Sequence, residues 1–142
     1  METYFTQYPA VMAFRKELIE EAKRTGYART LYGRRRPMPE LTASKYMTRQ
    51  FGERVAVNMP IQGTSADIIK LAMVRIDRAL RDNGLKARLI LQVHDELLID
   101  APKEETERVI ALLKEAMENA VSLGVPLSAS VSSSEVSWYY CK

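Results

Sequence analysis

Apolar residues at Val11, Phe14, Leu18, Ile19 and Ala22 recur with helical spacing, and Glu, Lys and Arg fill the gaps. The pattern predicts a helix over 9–24, with Pro9 in its first turn and Gly26 just past its end. Tyr27-Ala28-Arg29-Thr30-Leu31 then reads as one arm of a small strand pair that turns at Tyr32-Gly33, and Pro37 and Pro39 mark the exit into a loop. A second helical zone runs from Ser44 or Lys45 to about Asn83. Its apolar face is Ile68, Ile69, Ala72, Met73, Ile76, Ala79 and Leu80. Pro60 predicts a break or kink at Asn58-Met59-Pro60, because proline lacks a backbone donor and disfavours a helical residue before it.

Two apolar runs follow, Leu89-Ile90-Leu91-Gln92-Val93 and Leu97-Leu98-Ile99, which read as buried strands of a hairpin over 87–100. After Ala101-Pro102 comes a third helix over 103–122. Glu104, Glu105 and Glu107 suit its positive end, and Val109, Leu112, Leu113, Ala116, Met117 and Ala120 face inward. Val125-Pro126-Leu127 and Val131 supply a last short strand, next to a tract from Ser128 to Ser137 that holds six serines. There are no internal repeats. The fold class is α+β: long helices packed on a small antiparallel sheet with a central His-Asp-Glu hairpin.

With 142 residues, 46% hydrophobic and 27% charged, the chain suits one soluble domain with a real core. No apolar stretch approaches the roughly 20 residues that span a bilayer, and the N-terminus does not read as a signal peptide. Cys141 is the only cysteine, which excludes an intrachain disulfide and a cysteine-rich metal site and fits a reducing compartment. The net charge of +3 is uneven. Residues 1–90 carry 17 Lys/Arg against 9 Asp/Glu, and residues 91–142 carry 4 against 9. A basic portion beside an acidic one fits a polyanion contact next to a cation site, and it equally fits ordinary solvated charge.

Candidate chemistry concentrates in His94-Asp95-Glu96. Tight hairpins favour Asn-Gly, Asp-Gly or Gly-Gly, so His-Asp is a poor choice for a scaffold turn. Adjacent carboxylates at a hairpin tip can bind Mg²⁺, which prefers oxygen ligands and keeps several waters. Successive strand residues point to opposite faces, so at most one of Asp95 and Glu96 holds the metal directly. The plain alternative is a polar turn, with His94 either a donor to substrate or a turn residue. Arg54, Asn58 and Gln62 are spaced by four and share a helical face if the helix continues through Pro60, with Arg49 slightly rotated from them. Arginine charge and fork geometry beside two amides suit a nucleic-acid backbone and minor groove. The same stretch also reads as a solvated face followed by the N-capping residues Thr64, Ser65 and Asp67. Arg34-Arg35-Arg36 beside Tyr27 and Tyr32 suits phosphates, or is a solvent-exposed basic turn. No nucleophile triad and no Gly-rich phosphate loop is present.

The stretches Tyr4–Pro9, Gly26–Arg36, Glu53–Asp67 and Gln92–Glu96 occur together, in order, in one family. Over nearly its whole length the chain resembles the C-terminal part of family A DNA polymerases, the bacterial DNA polymerase I type. The resemblance implies part of a polymerase palm plus the base of the fingers, with 1–48 the helix and basic hairpin of the fingers region. The rest, 49–142, would hold the DNA-contacting helix and the palm hairpin, helix and last strand. Asp95 matches the motif C aspartate that binds catalytic Mg²⁺, Glu96 its acidic neighbour, and His94 a residue at the primer end. Arg54, Asn58 and Gln62 match residues on the primer–template, and Arg49 a position near its backbone. The implied reaction is two-metal, template-dependent deoxynucleotidyl transfer in replication and repair. The implied partners are primer–template DNA, deoxynucleoside triphosphates and the remainder of the polymerase chain; the setting is bacterial cytoplasm, with no membrane contact.

The family's motif A aspartate and the fingers helix that holds the nucleotide are absent, so the chain is expected to be a fragment that does not polymerise alone. An open sheet edge is a route to a homo-dimer. The serine tract also departs from the family's tail, which puts the last strand's contacts in question. A DNA-binding module without chemistry and a purely structural α+β module remain the alternatives from the residues themselves.

Overall fold

A computed structural model describes residues 2–141. It resolves into two compact units, residues 1–65 and 66–142. In the first, α1 (Glu2–Gln7) precedes α2 (Pro9–Thr25), whose first residue is the proline and whose C-cap is Gly26. The strands β1 (Tyr27–Arg29) and β2 (Arg35–Pro37) pair antiparallel in the register Tyr27↔Pro37, Ala28↔Arg36 and Arg29↔Arg35. A 3-10 turn at Pro39–Thr42 leads to α3 (Tyr46–Asp82).

The expected break at Pro60 is not there: α3 runs unbroken through it. Packing supports the helix on both sides of the proline. Ala56 is buried before it and Thr64 after it, and Met59 leans on the core formed by Ala22, Ala28, Met38, Leu41 and Ala56. Three of these five residues are alanine, which brings backbones close. A Cβ on Gly63 would lie 2.6 Å from Thr30 Cγ2, and one on Gly52 would lie 2.9 Å from Glu40 Cβ. Both glycines are therefore contact surfaces. Thr64 is buried in mid-helix, and its Oγ1 accepts the Leu31 N–H at 3.1 Å. It therefore does not cap a helix, because no helix begins there.

The second unit holds the rest of α3, then β3 (Arg88–Val93), β4 (Glu96–Asp100) and α4 (Thr106–Glu118). Ile76 and Leu80 of α3 join Ala87 and the α4 residues Val109, Leu112, Leu113 and Ala116 in one core, against which Leu89, Leu97 and Ile99 pack. Glu105 fixes the approach to β3. Its Oε1 accepts the Lys86 N–H at 3.0 Å and its Oε2 the Ala87 N–H at 2.9 Å. The third helix stops at Glu118, short of the expected 122. Asn119 caps it, donating its N–H to the Glu115 carbonyl, and Arg75 Nη1 holds the Asn119 carbonyl.

The two strand pairs are separate two-stranded sheets, and the expected last strand at 125–131 is not formed. Pro126 offers no ladder donor. In the serine tract, side chains take backbone partners locally: Ser134 Oγ accepts the Val136 N–H at 3.2 Å, a competitor of strand pairing. Among the described residues no helix is long and apolar enough to cross a membrane.

Candidate nucleic-acid interface and metal-binding turn

In the first unit the packing of α3 decides which side chains face outward. Gly52, Ala56, Gly63 and Thr64 face the hairpin and the loop before the helix. Arg54, Asn58 and Gln62 fall on the other side and are exposed, as their spacing of four requires once the helix is continuous. The Arg54 guanidinium stands 6.0 Å from the Phe51 ring centre. Arg49 is placed differently. Its Nη1 donates to the Ala43 and Ser44 carbonyls at 2.9 and 2.7 Å, and its guanidinium lies 5.9 Å from the Tyr46 ring. It ties down the loop that enters α3, a role the spacing did not reveal.

The basic hairpin is exposed along residues 31–37. Arg35 lies 5.5 Å from the Tyr27 ring and Arg36 reaches Glu40 at 3.8 Å, so part of its charge is engaged internally. At the turn, Thr30 Oγ1 accepts the N–H groups of Tyr32 and Arg34 at 3.3 and 3.2 Å, and Gly33 takes φ 80°.

In the second unit His94 and Asp95 form the two-residue turn between β3 and β4, since Val93 pairs with Glu96. All three residues of the His94-Asp95-Glu96 run are exposed. His94 has φ 52°, and it is the only non-glycine residue with positive φ among the described residues. A non-glycine residue held in the left-handed region costs about 1–2 kcal/mol, and such residues gather at functional sites. The Gln92 side chain crosses the turn and its Nε2 donates to the His94 carbonyl at 2.5 Å.

A bulge sets which way the strand side chains point. Leu89 pairs with Ile99, but Leu91 pairs with Leu98, so Ile90 is the extra residue. The shift turns Leu91 and Val93 to the face opposite Leu89, together with Leu98 and Glu96. The expectation of buried strands therefore holds in part: Leu89, Leu97 and Ile99 pack on the core, while Ile90 is 56% and Leu91 45% exposed.

Among the described residues no three His, Cys, Asp or Glu side chains gather to hold a metal ion. The donor chemistry at the turn still suits Mg²⁺. Asp95 offers carboxylate oxygens, and Mg²⁺ commonly takes one or two carboxylates with waters and substrate phosphates completing its shell.

A sequence model of DNA polymerase family A matches residues 1–140. The chain is 46% identical over 142 residues to DNA polymerase I of Bacillus caldotenax, covering 100% of this chain and 16% of that protein. It is 50% identical over 135 residues to the thermostable DNA polymerase I of Thermus thermophilus, covering 95% of this chain and again 16% of the relative. Among solved structures it is similar to the POL domain of Pol1 from M. smegmatis in complex with DNA primer-template and dNTP. There the TM-score is 0.86 at 44% identity, over 90% of this chain and 23% of that one.

Proposed function

The chain belongs to DNA polymerase family A, and from that premise we propose that it contributes the primer–template grip and one metal-binding carboxylate of a template-dependent DNA polymerase. The observation that carries the reading is the exposed stripe Arg54, Asn58, Gln62 on a helix whose other face is committed to packing. Arg54 supplies charge and fork geometry toward a phosphate or sugar, while Asn58 and Gln62 supply donors and acceptors toward base edges in the minor groove. Arg49, held against its loop, stays near the nucleic-acid backbone as a secondary contact.

At the β3–β4 turn Asp95 is the metal ligand, with Glu96 beside it and His94 facing the primer end. Bound there, Mg²⁺ supplies charge stabilisation of the reacting phosphate. In the reaction the primer 3′-oxygen forms a bond to the α-phosphorus, the α–β phosphoanhydride bond breaks, and pyrophosphate leaves. A two-metal clamp needs carboxylates from a second source, so this chain by itself does not catalyse the step. Deoxynucleoside triphosphates and the rest of a polymerase chain complete the site. Self-association through the β3 or β4 edge is a secondary reading; a monomer in light scattering removes it.

Binding to a primed duplex over a salt series tests the grip. Affinity is expected to fall steeply with salt, and Arg54→Ala to weaken it about tenfold, in line with a contact of about 1–3 kcal/mol. No salt-dependent binding would leave only a structural domain. Primer extension by the chain alone with Mg²⁺ is expected to be absent, and clear extension would overturn the dependence on further carboxylates.

A further inference from the structure

Gln92 lies within the run that carries the polymerase resemblance, yet no role follows for it from charge or spacing. In the structure it has one. Its side chain reaches past Val93, and Nε2 donates to the carbonyl oxygen of His94, the residue whose φ is 52°. The second central residue of the turn, Asp95, does not have a positive φ. A two-residue hairpin turn with positive φ at its first position only has the II′ pattern, and that first position belongs to glycine. His94 therefore sits where the backbone resists it, with no burial to hold it in place. A conformation of this kind persists only when its surroundings over-determine it. Here the two-stranded ladder and the Gln92 amide are the surroundings that do so.

The bulge at Ile90 shifts the strand by one residue, so that Gln92 stands opposite Leu97 rather than Glu96.

We propose that Gln92 is a positioning residue for the metal-binding carboxylate: its amide clamps the His94 carbonyl, fixes the left-handed turn, and so fixes the direction in which Asp95 presents its oxygens. The proposal rests on the reading of Asp95 as a metal ligand. Groups one step behind a ligand, when removed, commonly weaken metal binding by 10–100-fold. An exposed turn belongs at the low end of that range.

The test uses the 142-residue chain and NMR. A strong intraresidue NOE between the amide and Hα protons of His94 reports the positive φ, and Mn²⁺ broadening of the Asp95 amide reports cation binding. Gln92→Met keeps the length and removes the donor. It is expected to weaken the NOE and to raise the Mn²⁺ concentration for half-broadening about 10-fold, with Leu97 and Ile99 methyl shifts unchanged as proof of folding. In a His94→Gly background the backbone adopts the turn unaided, so Gln92→Met should then change the Mn²⁺ response by less than about 2-fold. An unchanged NOE and unchanged Mn²⁺ response in Gln92→Met overturn the clamp. A full loss that persists in the His94→Gly background overturns it too, since Gln92 would then act by another route. Absence of Mn²⁺ broadening at Asp95 in the unaltered chain overturns the metal reading itself, while the NOE comparison still reports on the clamp alone.

Discussion

The two hairpins solve the same problem with opposite chemistry. Between β1 and β2 the positive φ falls on Gly33, and the turn's N–H groups are gathered by the buried hydroxyl of Thr30. Between β3 and β4 the positive φ falls on His94, the turn is exposed, and a single side-chain amide steadies it. The first turn is locally consistent and needs no function to explain it. The second violates local preference, and it does so at the place where a histidine and two carboxylates meet. Misfit between residue and backbone separates site from scaffold here more sharply than charge does, since the first hairpin carries more of it.

The comparison breaks if the Thr30 hydroxyl is dispensable. Thr30→Val keeps the shape and removes the acceptor of two backbone donors, and is expected to destabilise residues 2–65 by about 2 kcal/mol. Amide hydrogen exchange at Ala28 and Arg36 reads the loss. Glu105→Ala should cost the second hairpin a similar or slightly smaller amount, about 1.5–2 kcal/mol, because a carboxylate accepting two backbone N–H groups gives way to water. Faster exchange confined to residues 86–100 is the expected signature. Protection unchanged there would mean that the β3–β4 ladder stands without its anchor. Gly33→Ala forces a Cβ into a left-handed position at a turn with open space around it, so only backbone strain is added, about 1 kcal/mol. A loss well above that would mean that the turn tolerates strain less than the β3–β4 turn does.

Much of this was legible in the sequence, for identifiable reasons. Gly26 announces the end of α2, and the spacing of Ile69, Ala72, Ile76 and Leu80 announces the buried face of α3, because helix signals are local. The stripe Arg54, Asn58, Gln62 was legible by the same period, on condition that Pro60 did not end the helix. Continuity through Pro60 was not legible, since it depends on Ala56 and Thr64 meeting residues of the β1–β2 hairpin and the loop after it, contacts far away along the chain. The end of α4 was hidden likewise, because Arg75 of α3 holds the Asn119 carbonyl. The Ile90 bulge was illegible in principle: Leu89-Ile90-Leu91 is uniformly apolar, so nothing in it marks which residue is extra, and the register with β4 decides. The contact of Gln92 was hidden too, because it goes to the carbonyl of a turn whose shape nothing local announces.

His94→Gly is the smallest change and discriminates best between the two turns. Glycine relieves the left-handed strain, worth about 1–2 kcal/mol, and loses roughly 0.5–1 kcal/mol through its freer unfolded chain. The expected net is a stabilisation of no more than about 1 kcal/mol, read by exchange protection at Leu91 and Leu98. Gly33 can offer no such gain, as it already has the residue its backbone asks for. If His94→Gly stabilises the hairpin while primed-duplex binding weakens, the strain is retained for contact rather than for folding. If it destabilises, then His94 side-chain contacts outweigh its backbone strain, and the β3–β4 turn is a scaffold after all.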